Sequence, residues 1–304
     1  MKLPQLHVGV GMQCGAATFF PVWVDARATK GLVTGTEAKL GVNELSTPEV
    51  SRLTVTNQGT KAALLTEGQL LEGGQQHRMA ARTTLIGAGE TANIKVVCVE
   101  QGRWNGSPAH LNTGRRAPFH VQAGLHMNGS DHQDAVWQRV QRYEGIRTNS
   151  ATGSLVKHLD LPRPQGFLLP NLLDGQRGLI IGIEGQVLSL ELFGSRKLFR
   201  RHFAAVMDAL VLDLLLFRNP AGRGATRPVR AQAARDFVGA IASNGLGLRN
   251  QSGHRGNAGS ISVRRIENGH SSLPVSGLSI WGTEGTQPQI AHLSAWNAKH
   301  AVFT

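Results

Sequence analysis

Short runs of alternating apolar and polar residues dominate the first third of the chain. In Arg52-Leu-Thr-Val-Thr56, Leu53 and Val55 fall on one side of an extended segment. Asn57-Gln-Gly59 then supplies a turn signal and Lys61-Ala-Ala-Leu-Leu-Thr66 begins a second strand, so the pattern predicts a hairpin. Arg82 to Ile86, the turn Gly87-Ala-Gly89 and the run from Ala92 to Glu100 repeat the logic and predict another. In that last run a period of two sets Ile94, Val96, Cys98 and Glu100 on one face and Lys95, Val97 and Val99 on the other.

From Gly102 to Gly129 the composition turns to Gly, Pro, Asn, His and Arg without periodicity, which predicts a long loop. Helical spacing begins after it. Ser130 with Gln133 fits a capping box ahead of Val136, Val140 and Tyr143, a short helix is expected over 152–159, and the Pro-rich segment 161–170 reads as extended. Residues 178–184 and 186–192, turning at Gly185, predict a further hairpin. Helices are expected over 195–217 and 228–243, with short strands at 260–266, 278–281 and 289–293. The fold class is therefore α+β: a β-rich N-terminal sandwich or partial barrel, a helical insertion and a mixed α/β C-terminal half. The lobes are set at 1–128 and 129–304.

A chain of 304 residues with 40% hydrophobic and 17% charged residues can bury a core without disulfides or metals. Its two cysteines, Cys14 and Cys98, fit no metal spacing, and polar residues interrupt the N-terminal segment, so the expected location is cytoplasmic with no membrane partner. The net charge of +12 is uneven: between Arg218 and His270 nine arginines face only Asp236 and Glu267. Such a surface attracts phosphate-bearing partners, nucleic acid among them, although a solvated basic face has the same composition.

No phosphate-binding loop, dinucleotide fingerprint or paired Cys-x-x-Cys occurs, so no cofactor is assigned. His110, His120, His126 and His132 match no tight ligand spacing, and no metal is assigned either. The most unusual segment runs from Thr66 to Arg78, with carboxylates at Glu67 and Glu72, several glycines, and amide, imidazole and guanidinium groups at Gln76, His77 and Arg78. Glycines there permit close backbone approach to an anion, or serve turn geometry alone. A second cluster, Glu100-Gln-Gly-Arg-Trp104, offers Arg103 as an anion fork and Trp104 as a stacking face. The alternative is that Trp104 plugs the core edge while Arg103 pairs with Glu100. If both clusters share one cavity, Glu67 and Glu100 are the candidate catalytic acid or base groups, and Gln76, His77, Arg78, Gln101, Arg103 and Trp104 are the candidate ligand-binding residues.

Glu67-Gly-x-x-Leu-x-Gly-Gly-x-Gln-x-Arg78 followed by Cys98-Val-Glu-Gln-Gly-Arg-Trp104 resembles the signature of the domain family named for its association with ADP-ribosylglycohydrolases and rhodanese-phosphatase proteins. The Trp137 helix followed by Ser150 to Leu155, the Leu190-Glu-Leu-Phe-Gly-Ser195 strand exit and His292-Leu-Ser294 resemble it more loosely. Gln69 and His77 depart from it, standing where an acidic residue and Asn or Asp are expected. The resemblance implies one family domain over most of the chain and a place in NAD or ADP-ribose metabolism. The expectation is binding, with or without turnover, of an ADP-ribose-like or other phosphorylated nucleotide-sugar ligand. The rival expectation is a nucleic-acid-binding or scaffold protein using the basic 218–270 surface.

Overall fold

The central strands of the large sheet alternate their side chains between two apolar environments, and this organises that part of the structure. The structure, a computed structural model, describes residues 3–126, 132–165, 167, 169–216, 226–243, 249–250, 259–268, 271–281 and 288–303. The largest sheet has nine strands. Its main path runs Leu6–Val8, Ala17–Val24, Gly178–Ile183, Gln186–Phe193, Pro288–Trp296, Ser271–Trp281, Gly259–Asn268 and Arg249–Asn250, with Met12–Cys14 also pairing to Ala17–Val24. It draws strands from both sides of residue 128. Phe19 and Ile181 point to one face and Phe20 and Ile180 to the other, as a period of two requires.

Helices cover both faces. Arg196–Leu216, whose first turn is capped by Ser195 Oγ accepting from Leu198 N–H at 3.3 Å, packs Phe199, Phe203, Val206 and Leu210 on the Phe19 side. Ala231–Ser243 packs Ala234, Phe237, Val238 and Ile241 on the Phe20 side. The 178–183 and 186–193 strands form the expected hairpin, turning through Glu184 and Gly185 at φ 48° and 82°. No described helix is long and apolar enough to cross a membrane.

The other major unit is a closed six-stranded barrel, ordered Thr91–Cys98, Arg52–Asn57, Leu40–Asn43, Ala109–Leu111, Leu70–Gly73 and Arg78–Ala80. Val42, Leu53, Val55, Leu71, Ala80, Ile94 and Val96 fill it, and Leu70, Met79, Val97 and Val99 pack outside against Val121, Val136 and Leu212. The fold class is thus α+β and β-rich, with a closed barrel in place of a sandwich or partial barrel.

The two predicted N-terminal hairpins do not form, although their strands do. Arg52–Asn57 pairs with Thr91–Cys98 and Leu40–Asn43, whereas Ala62–Leu65 pairs with Thr84–Ile86 and Leu32–Thr34 in a separate three-stranded sheet. Both turns exist, but each sends the chain into another sheet. The long loop expected over 102–129 also contains regular structure: the strand Ala109–Leu111, the helix Phe119–Gln122 behind Pro118, and the 3-10 turn Ala123–His126. All are too short to show a period. The next helix spans His132–Gln141, leaving Tyr143 buried just past its end.

Candidate functional site

Strand alternation that fills the barrel with Ile94, Val96, Ala80, Val42 and Leu71 places Cys98, Arg78, Glu44 and His110 on the same inward side at one end. Arg78 stands opposite Cys98 in register, Leu71 opposite Arg78, and His110 opposite Val42 and Gly73. The result is a polar plug of buried residues. Arg78 Nη1 donates to Gln76 Oε1 at 2.7 Å, and the Cys98 sulfur lies 3.2 Å from the same oxygen and 2.9 Å from Glu100 O, the nearer acceptor for its proton. Glu44 Oε1 lies 3.1 Å from His110 Nε2 and 3.9 Å from Arg78 Nη2. Burial pushes the His110 imidazole below its ordinary value, with Glu44 acting in the opposite direction. Neutral, the ring donates through Nε2 to Glu44, the nearer acceptor, at 3.1 Å against 3.3 Å for Leu71 O. Burial raises the Cys98 thiol, which stays protonated.

Three atoms of this plug have no hydrogen-bond partner: Glu44 Oε2, Gln76 Nε2 and Arg78 Nε. Their side chains are essentially inaccessible, with Arg78 1% and Gln76 0% exposed. An unsatisfied buried polar atom costs about 1–3 kcal/mol, so three in one linked cluster mark this barrel end as a candidate binding position.

The strap from Gly73 to His77 crosses this end and is held by the Glu100 cluster. Arg103 Nε and Nη2 bond Glu100 Oε2 at 2.9 and 2.7 Å, Nη1 donates to Gly74 O and Asn105 O, and Nη2 donates to Gly73 O. Four of the five guanidinium protons are thus donated within the protein, and the ion pair with Glu100 fixes the group in place. Glu100 also accepts from His77 N–H at 3.1 Å and from Thr152 Oγ1 at 2.7 Å. Burial alone would raise its pKa, but the Arg103 and Thr152 hydrogen bonds outweigh that and hold it below the ordinary range. Glu100 is thus a fixed carboxylate anchor. Burial lowers the neighbouring His77, although Glu100 opposes the shift.

Of the residues singled out in the sequence, Gln76, His77, Arg78, Glu100 and Arg103 come together here. Trp104 follows on the rim with 57% of its surface exposed, so it plugs no core edge, while the Arg103–Glu100 pairing does form. Gln101 is exposed and accepts from Gln141 at 3.0 Å. Glu72 points outside the barrel, paired with Arg115 at 2.5 Å. Glu44 went unnoticed in the sequence, and His110 was weighed there only as a metal ligand. Glu44 ends a strand whose only signal is Val42 two residues earlier, and His110 lay in the presumed loop.

Glu67 belongs to a second buried network. Its carboxylate accepts from Ser276 Oγ at 2.5 Å and pairs with His126 Nε2 at 2.8 Å, while the His126 ring packs edge-on to Trp296. Its backbone N–H donates to Thr83 Oγ1 at 3.0 Å, and Thr83 contacts His292 Nδ1 at 2.9 Å. His292 Nε2 reaches Glu191 at 3.1 Å, and Arg116 and Ser294 complete the carboxylate's shell. The order hydroxyl, imidazole, carboxylate resembles a nucleophile relay, but Thr83, His292 and Glu191 are each 0% exposed, so no substrate reaches it. Burial would raise the Glu191 pKa, yet the Arg116 charge and His292 bond bring it to about 2.

Nearby, Thr34 Oγ1 donates to Leu64 O, so its 2.6 Å contact to His202 Nε2 is one in which the imidazole donates. Burial lowers His202 to about 3, and burial with the Arg139 charge does the same to His120. A pKa depressed from 6.5 contributes stability above that value which is lost as pH falls toward about 3. Asp213 accepts from Phe119 N–H and His120 N–H, and burial raises it from 3.8 to about 7. Its contribution is present below 3.8 and lost as pH rises through about 7. Stability measured by urea unfolding is therefore expected to fall on acidification below about pH 6.5. In Asp213→Asn, which lacks the opposing contribution, it should fall more steeply between about pH 7 and 4. Parallel profiles for the two proteins would contradict these protonation states.

Comparison with protein families matches residues 5–296 to the family described as ARG and Rhodanese-Phosphatase-superfamily-associated Protein domain. No curated protein and no solved structure matches the chain.

Proposed function

The chain belongs to the ARG and Rhodanese-Phosphatase-superfamily-associated Protein domain family, and on that premise we propose that it binds an ADP-ribose-like, phosphorylated nucleotide-sugar ligand at the polar end of the barrel. One observation carries the reading: Glu44, Gln76 and Arg78, linked at the barrel end, each keep a buried polar atom without a hydrogen-bond partner, Oε2, Nε2 and Nε. Trp104, more than half exposed on the neighbouring rim, offers an open ring face for a base, and His77 lies on the strap between them. Arg103 and Glu100 act as positioning residues that hold the strap. The family's name ties it to ADP-ribosylglycohydrolases, and binding alone satisfies this reading.

Thermal unfolding against ADP-ribose, NAD, inorganic phosphate and short RNA, at low and high salt, tests it. ADP-ribose at 100 times its dissociation constant should add about 2.7 kcal/mol of stability and raise the midpoint in both salts. Trp104→Ala, which removes an exposed ring, should leave the ligand-free midpoint in place while weakening ADP-ribose binding about tenfold. A shift from RNA alone that vanishes in salt would overturn the proposal in favour of the basic 218–270 surface. In that stretch the described arginine side chains are Arg227, Arg230 and Arg235, all exposed; the other six lie outside the described residues or have described backbone only.

A further inference from the structure

We infer that the barrel end takes an uncharged vicinal diol, with Glu44 accepting a hydrogen bond from it and Gln76 and Arg78 donating to its two oxygens. The inference rests on the nucleotide-sugar reading and specifies which part of such a ligand is buried. Its first support is charge. Among the described residues, Arg78 and Glu44 are the cation and the carboxylate that face each other in the plug. Burial disfavours charge on both His110 and Cys98, and Arg103 pairs with Glu100 at the strap. A phosphate placed here would meet a compensated guanidinium and a carboxylate oxygen with no proton to share, so anions are disfavoured.

The second support is the donor and acceptor count. Glu44 Oε2 needs one donor; the Gln76 amide nitrogen, which has no partner, and Arg78 Nε need acceptors. A carboxamide meets the same count only by placing its one oxygen between both nitrogens. A vicinal diol offers two oxygens and can still donate to Glu44, so it meets the demand with one rigid group. The plug is also fixed in place: Gln76 Oε1 is anchored by Arg78, and Glu44 Oε1 by His110 and by Gln75 N–H at 3.3 Å. Gln75 and Gln76 lie on the strap itself, so this arrangement is completed as the strap closes over the diol. Because the atoms are covered, entry requires the Gly73 to His77 strap to lift.

Titration calorimetry of the full chain with ribose 5-phosphate, 2-deoxyribose 5-phosphate, inorganic phosphate, nicotinamide and ADP-ribose tests the inference. Ribose 5-phosphate should bind at least about tenfold more tightly than the deoxy sugar, the loss expected when a hydrogen bond to a charged group is deleted. Glu44→Gln, which turns the free acceptor into a donor, should erase that preference. If Glu44→Gln does not fold, Gln76→Glu serves, since it keeps the acceptor for Arg78 and removes the amide donor. Should ADP-ribose bind while the two sugars are equal, or while phosphate or nicotinamide matches ribose 5-phosphate, the diol inference falls and the proposed function stands. Should none bind, both fall.

Discussion

Glu191→Ala is expected to lower the unfolding free energy by about 3–5 kcal/mol, because it leaves a buried guanidinium without its carboxylate. Arg116 is 1% exposed and approaches Glu191 at 2.9 Å, and its remaining shown contacts, Gln122 Oε1 and the Phe119 ring, carry no charge. His292 and Ser294 lose their acceptor in the same stroke. The paired variant Arg116→Met with Glu191→Leu should lose far less than the sum of its single changes, since both charges leave the interior together and apolar groups of similar volume replace them. Urea denaturation followed by circular dichroism gives both numbers. A loss below about 1 kcal/mol for Glu191→Ala would show that the network is hydrated.

Gly74→Ala should destabilise the barrel end by about 2–5 kcal/mol and abolish ligand binding. Gly74 sits at φ 60°, where an L side chain is strained, and an added Cβ would lie 2.1 Å from both Cε1 and Nε2 of His110. Relief of that clash moves either the strap or His110, and His110 holds Glu44 Oε1. Gly31→Ala is the control: its φ of 76° carries the same conformational penalty, but nothing lies within 4 Å of the added carbon, so its loss should stay near 1–2 kcal/mol, about the backbone term alone. Equal losses in the two variants would mean that the strap does not press on His110.

Local pattern revealed the strands and concealed their partners. The alternation from Ile94 to Glu100 set Ile94, Val96 and Cys98 on one face, which turns inward, yet nothing in the 52–66 segment says that Arg52–Asn57 pairs with residues 35 to 43 positions away instead of across its own turn. Pairing is settled by burial of whole faces, which a short window does not contain. The same limit divided the Glu67 to Arg78 segment. Gly68 at φ 81°, together with Gly73 and Gly74, redirects the chain, so that Glu67 enters the network with Ser276 while Gln76 and Arg78 enter the barrel. The segments resembling the family more loosely, around Glu191 and His292, prove to build that second network with Ser294. Glu44 carried no local signal at all, because its importance comes from Arg78 and His110 arriving beside it from other strands.

Hydrogen–deuterium exchange of the full chain with and without saturating ADP-ribose tests the central claim most directly. Binding at the barrel end predicts slowed exchange in peptides covering residues 73–78 and 100–106, with the large sheet unchanged. Unchanged exchange in both segments under saturating ligand, or protection confined to the 226–243 region, would contradict it.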